Sequence, residues 1–291
     1  MSWLWLGFAC GALIGAQGAF AKRLMADRHY MAVAWAAHAA SAPVFALYLW
    51  VIDEPSPALR PIFAVYLFSG VGLLMIATTL YFKALQVGEL SRDVPLLSLT
   101  PIFMLLTSRV MVNQTLTLAG AAAILVAVFG CVLLQKQPGR GLREMVAALW
   151  RERGSRLMLV VAFIWSITAN FDKLCIDEVG PSYYPLFANL AFAVLYLPVL
   201  KLFGVRWREV VGFRAWPLAL LGPLQAAAAL TQMQAVAVAP HVAYVITLKR
   251  GGLLLFGLFA GAAFFGERRL GWRAVGAAWI VAGLGLLATL A

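Results

Sequence analysis

Charge is what this sequence has least of. Only 12% of its 291 residues are Asp, Glu, Lys or Arg, about half the share in a soluble domain. Acids are the scarcer sign: 12 Asp and Glu stand against 23 Lys and Arg, a net charge of +11. The basic residues sit in short loops with no soluble domain to present them, which argues against nucleic acid as a partner. Histidine and cysteine number three each. Cys10, Cys131 and Cys175 fall within or at the ends of apolar stretches, without metal-ligand spacing or a disulfide framework, and read as small apolar filler. There is no Walker A run to bind ATP, and no His-Glu-x-x-His or paired-aspartate motif to build a catalytic centre. The sequence points away from an enzyme and requires no metal and no cofactor. A sensor or assembly subunit would more usually bring a soluble domain.

What is present is apolar length: 63% of the residues are hydrophobic. A bilayer crossing needs about 20 mostly apolar residues. Ten runs approach that length: 3–21, 31–52, 61–82, 91–112, 115–134, 157–172, 183–203, 213–235, 241–265 and 271–290. The expectation is an all-α integral membrane protein of ten transmembrane helices. No basic lead-in precedes Trp3 and no small-residue cleavage site stands before Lys22 and Arg23, so the first run is expected to remain as a span.

Gly7, Gly11 and Gly15 share one face of the first run, where a neighbouring backbone can approach closely. Residues 88–103, GELSRDVPLLSLTPIF, make a polar, proline-broken entry to the fourth run. Such backbone is tolerated where it lines a cavity or is buried in protein. Residues 135–156 hold six Lys or Arg against two acids. They read either as a solvated loop or as a short surface helix over 145–150.

The chain repeats itself weakly. Phe20-Ala21-Lys22 recurs as Phe171-Asp172-Lys173, a shift of 151 residues, and the same shift maps Ala84 and Val87 onto Ala235 and Val238. With five more residues inserted, the stretch 120–124 maps onto 276–280. The expected organisation is two five-helix repeats, 1–136 and 157–291, joined by a basic loop over 137–156. An odd number of spans per half inverts the second half, the plan that puts a transporter's site at midplane between the halves.

Two halves of five spans resemble the drug/metabolite transporter superfamily, EamA type. The ninth run closes in Phe264-Phe265-Gly266-Glu267, followed by Leu270 and Gly276, which is similar to that family's recurrent Gly-Glu ending. The first half has Asn113-Gln114 at the equivalent place. Lys249-Arg250 is also similar to the adjacent Lys-Arg of triose-phosphate/phosphate translocators, which grips phosphate there. The repeat-related residues here are Ser98 and Leu99, so the first half offers no matching cation, although Arg92 is a possible substitute. The resemblance implies fold and transport, and leaves the substrate open.

Lys249 and Arg250 interrupt the ninth run near its middle. A charge at that depth costs at least about 2.5–3.5 kcal/mol, so it faces protein or a wet cavity. Together they read as an anion site, Arg offering a planar fork and Lys a mobile point charge, or as partners of an internal acid: Asp93, Asp172 or Glu89. Tyr244 shares a stripe with Arg250. Tyr244, Arg92, Asp93, Ser98, Asn170 and Asp172 complete the candidate substrate-binding set. His38 and His241 are candidates for proton coupling, since histidine titrates near neutral pH; a satisfied structural histidine is the plainer reading. Gln17, Tyr81, Gln225 and Gln232 read equally as helix glue or ligand contacts. Arg109 reads as a snorkelling side chain, Lys22 and Lys173 as interface anchors, and Glu267 as a helix-end residue.

Sixteen Lys or Arg fall in 22–30, 135–156, 201–214 and 266–273, against Arg60 and Lys173 in the even-numbered loops. The positive-inside rule then puts both termini outside the cytoplasm, whereas many relatives of this type have them inside. The expected function is a secondary transporter in a bacterial cytoplasmic membrane. It would move a small organic anion or zwitterion by alternating access, as a monomer or homodimer. A flippase for a lipid-linked or amphipathic anion is the alternative.

Overall fold

The computed structural model describes residues 2–87, 94–134, 151–206, 210, 216–265 and 271–290, and every regular element among them is helical. In chain order they are α1 (Ser2–Leu24), α2 (Tyr30–Ile52), α3 (Pro61–Val87), a 3-10 turn (Val94–Leu99), α4 (Thr100–Met111), α5 (Leu118–Leu134), α6 (Arg153–Leu195), α7 (Leu197–Leu202), α8 (Trp216–Ala219), α9 (Leu221–Val238), α10 (Val242–Phe265) and α11 (Gly271–Thr289).

Five stretches among the described residues are long and apolar enough to cross a membrane: Ser2–Leu24, Tyr30–Ile52, Pro61–Ala84, Arg153–Leu202 and Val242–Phe259. Shorter apolar helices cover Leu96–Met111, Leu118–Leu134 and Arg273–Thr289. Large apolar side chains such as Trp50, Val110, Leu118 and Phe259 point outward, where only lipid would solvate them well. The chain is a multi-pass integral membrane protein.

Local chemistry sets the boundaries. His29, in extended conformation, accepts the Met31 N–H on its Nδ1 and caps α2, which ends at Asp53 in the left-handed region (φ 49°). Within the proline-broken entry, Val94–Leu99 form the 3-10 turn leading into the twelve residues of α4, with Pro101 in the first turn. Proline is tolerated there because the first amide groups of a helix have no internal partner.

The largest departure from the sequence reading is α6. Two separate runs were expected, the first ending at the polar stretch 170–173. Instead the helix continues past it and breaks at Gly180 (φ 80°, ψ 160°), just before Pro181. Glycine is the residue that takes this backbone without strain. Polar residues end a helix when they need water, and Asn170 and Asp172 have protein partners instead. Both therefore lie inside a helix rather than at a membrane end. The limbs on either side of the break cover 153–179 and 181–195.

α1 lies against α9 and α10, α3 against α6, α5 against α11, and α2 against both α6 and α9. The glycine face of α1 meets α10 as the spacing suggested. A Cβ on Gly11 would lie 2.5 Å from the Lys249 carbonyl oxygen and 2.6 Å from the Leu253 nitrogen. Gly252 answers from α10, 2.8 Å from the Phe8 oxygen by the same measure. This backbone contact fixes α10 at the level of its two cations.

Candidate functional site

A cavity of about 340 Å³ lies where α1, α2, α3, α4, α6, α9 and α10 converge. Both limbs of α6 contribute, Trp165 and Asp172 from the first, Tyr184 and Asn189 from the second. Lys249 and Arg250 line it from α10, and His38 from α2.

The lining is organised by two hydrogen-bonded chains. In the first, the Lys249 ammonium donates to Gln232 Oε1 (2.8 Å), and Gln232 Nε2 donates to Asp172 Oδ2 (3.5 Å). The other carboxylate oxygen accepts the Tyr184 hydroxyl at 2.5 Å. The amide is thus oriented by its neighbours, acceptor end to the cation and donor end to the anion. In the second chain, Gln17 Nε2 donates to Gln225 Oε1 (2.8 Å) and Gln225 Nε2 to Asn189 Oδ1 (3.3 Å). Asn189 Nδ2 donates to the Pro185 carbonyl (2.7 Å), which fixes the amide, so His38 Nδ1, at 2.7 Å from Asn189 Oδ1, carries the proton it shares. The imidazole stacks on Phe192 with ring centres 4.0 Å apart.

Arg250 is held differently. Its guanidinium carbon lies 4.9 Å from the centre of the Trp165 ring, an attraction to the ring's negative face. Tyr81 tilts against the same indole at 5.7 Å. The buried Nε of Arg250 has no hydrogen-bond partner among the described residues. Lys249, Arg250 and Asp172 give the lining one surplus positive charge.

Other members of the candidate set lie elsewhere. Asn170 is fully buried and satisfied: Nδ2 donates to Thr107 Oγ1 (3.1 Å) and the Ser166 carbonyl (2.8 Å), and Oδ1 accepts from Ser108 (2.8 Å). It locks α4 to α6. Tyr244 stacks on Trp3 at 6.0 Å, and its hydroxyl sits where a Cβ on Gly120 would fall. Ser98 is buried and does not line this cavity. His241 meets Tyr244 edge-on at 4.9 Å, its Nδ1 buried without a hydrogen-bond partner among the described residues. Arg92, Asp93, Glu89 and Glu267 lie outside the described residues.

The lining also contains residues that the sequence reading passed over: Trp165, Tyr184 and Asn189. A signal for Trp165 and Asn189 existed. The repeat shift of 151 maps His38 onto Asn189, and these two are hydrogen-bonded to each other. It also maps Ile14 onto Trp165, Gln17 onto Thr168, Leu74 onto Gln225 and Thr78 onto Ala229, and all eight line the cavity.

Residues 1–135 match the EamA-like transporter family. The EamA-like match bears out the resemblance to drug/metabolite transporters. It falls on the half that lacks the Gly-Glu ending. The EamA-like family points to a membrane transporter of small molecules rather than an enzyme. A crystal structure of another protein matches with a TM-score of 0.77 at 21% identity, over 100% of this chain and 99% of that one. At that identity the likeness concerns the fold. No curated protein matches the sequence.

Proposed function

We propose that this chain is a secondary transporter that carries a small organic anion or zwitterion across a bacterial cytoplasmic membrane by alternating access. Ten crossings, arranged as two inverted five-helix halves, would rock about the cavity. The break at Gly180 supports the count, since it divides the 50-residue stretch Arg153–Leu202 into two membrane-length pieces. The five lining pairs related by the repeat shift support the inversion, because a two-fold axis through a central site brings equivalent residues to it.

The observation that supports the substrate class most is the placement of Lys249 and Arg250 in a cavity with a single acid among the described residues. Of the Arg250 guanidinium, Nε has no hydrogen-bond partner among the described residues. An oxyanion between the Lys249 ammonium and the planar Arg250 fork would gain charge-assisted hydrogen bonds. The cavity's size suits a metabolite rather than a peptide.

A thermal-shift screen of metabolite anions on purified protein supplies the ligand, and uptake into proteoliposomes supplies the test. Lys249→Ala removes a contact to a charged group of about 1.5–3 kcal/mol, so uptake should fall about 10- to 150-fold. Uptake equal to wild type would remove Lys249 from the site.

A further inference from the structure

Among the described residues, Asp172 is the one acid in the cavity lining. Its two oxygens are occupied by the Tyr184 hydroxyl and the Gln232 amide, and that same amide holds Lys249. Gln232 therefore stands between the cation and the carboxylate and connects them. Anything that draws Lys249 away changes what Asp172 feels. A carboxylate inside a membrane stays ionised only while opposite charge or donors hold it.

We propose that Asp172 is a proton site, and that Gln232 couples it to anion binding at Lys249 and Arg250. This rests on the anion-site reading above. An incoming anion takes the Lys249 ammonium from Gln232 Oε1 and cancels the positive field that favours the carboxylate. Asp172 then takes a proton from solution on one oxygen. The vacated Gln232 Oε1 becomes an acceptor for the new O–H once the amide turns. Empty, the lining carries one net positive charge; loaded with a monoanion and a proton, it carries the same. The halves can then exchange sides in both states without moving a different charge through the bilayer.

Other groups facing this region do not replace Asp172. From α1, Cys10 approaches Gln232 Oε1 with its sulfur at 3.9 Å. From α6 come Tyr184, which donates to the carboxylate, and Cys175, buried one turn along. From α3, Tyr66 meets the neighbouring Phe171 at 6.5 Å. α10 supplies only the two cations, and α9 the neutral Gln232. His38, from α2, belongs to the second chain through Asn189. No cluster of three or more His, Cys, Asp or Glu occurs among the described residues, whereas a hard metal cation would want several oxygens. A proton needs one.

Methanesulfonate is a permanently ionised organic anion, so any proton taken up on its binding goes to the protein. Binding is read as a rise in melting temperature of the full chain in detergent, and proton uptake with an indicator dye in weak buffer. Wild type should take up about one proton per methanesulfonate bound, by linkage, and an infrared carboxylic-acid band should appear. Asp172→Asn should still bind without the uptake, and His38→Gln should bind with it. Uptake that persists in Asp172→Asn, or wild-type binding with neither uptake nor the infrared band, overturns the assignment. Binding that requires sodium, and is lost in a choline salt, makes the partner cation sodium and also overturns it. If methanesulfonate does not bind wild type, the anion site itself fails and the coupling falls with it.

Discussion

Asn189 serves three neighbours with one amide, accepting from His38 and Gln225 on Oδ1 and donating to the Pro185 carbonyl. Its loss would leave two half-buried donors without their shared acceptor. Asn189→Leu should therefore destabilise the protein by about 1–2 kcal/mol, the net worth of the hydrogen bonds removed. Adding His38→Phe should recover part of that cost, because one stranded donor is removed. Unfolding in detergent across the double-mutant cycle measures the coupling. Strict additivity would mean that the bond seen between the two residues carries no energy. At this scale the site was half legible. Lys249 and Arg250 stand out because charge in an apolar run has an immediate cost. Asn189, Tyr184 and Trp165 do not, because a single polar or aromatic residue in such a run is ordinary, and their partners come from distant parts of the chain. Asp172 was found by type but misplaced at a helix end. The shift of 151 also pairs Lys249 with Ser98, Arg250 with Leu99, and Asp172 with Ala21. The charges known to line the cavity thus all come from the second half, facing a neutral surface from the first.

Among the elements, α1 and α10 approach each other most closely at the level of Lys249. Gly11 sits against the Lys249 backbone, whereas Gly18 has nothing within 4 Å of where its Cβ would be. Gly11→Ala should force the helices apart, costing about 1–3 kcal/mol as overpacking does, and should weaken anion binding by displacing Lys249. Gly18→Ala on the same helix should be neutral or stabilising, by up to about 1 kcal/mol. Melting temperatures of the two variants decide this; equal effects would mean that α1 does not press on α10. The glycine spacing was readable from sequence, because a four-residue interval marks one helical face. The course of α6 was not. Asn170, Asp172 and Lys173 look like a helix end when their partners are unknown, and Gly180-Pro181 looks like any loop. Only the bonds from Thr107, Ser108, Tyr184 and Gln232 explain why the helix runs on through them.

For the whole molecule, the proposed five crossings per half would put the linker 137–156 on the opposite side of the membrane from both termini. Single cysteines placed in the linker and at each terminus, in a chain without native cysteines, should react with an impermeant reagent from opposite sides. Labelling of all three from one side would rule out the odd count. The charge bias further predicts that the linker faces the cytoplasm. The central claim is that the halves enclose a wet, net-positive cavity, and it can be tested without knowing the substrate. Ala229 lines that cavity. With Cys10, Cys131 and Cys175 replaced, an Ala229→Cys variant should react faster with an anionic methanethiosulfonate reagent than with a cationic one of similar size. Replacing Lys249 and Arg250 by Gln should abolish the preference, since Asp172 without its cations takes up a proton and leaves the lining neutral. Failure of both reagents to react, or a preference unchanged by the two replacements, would contradict a cation-lined transport cavity.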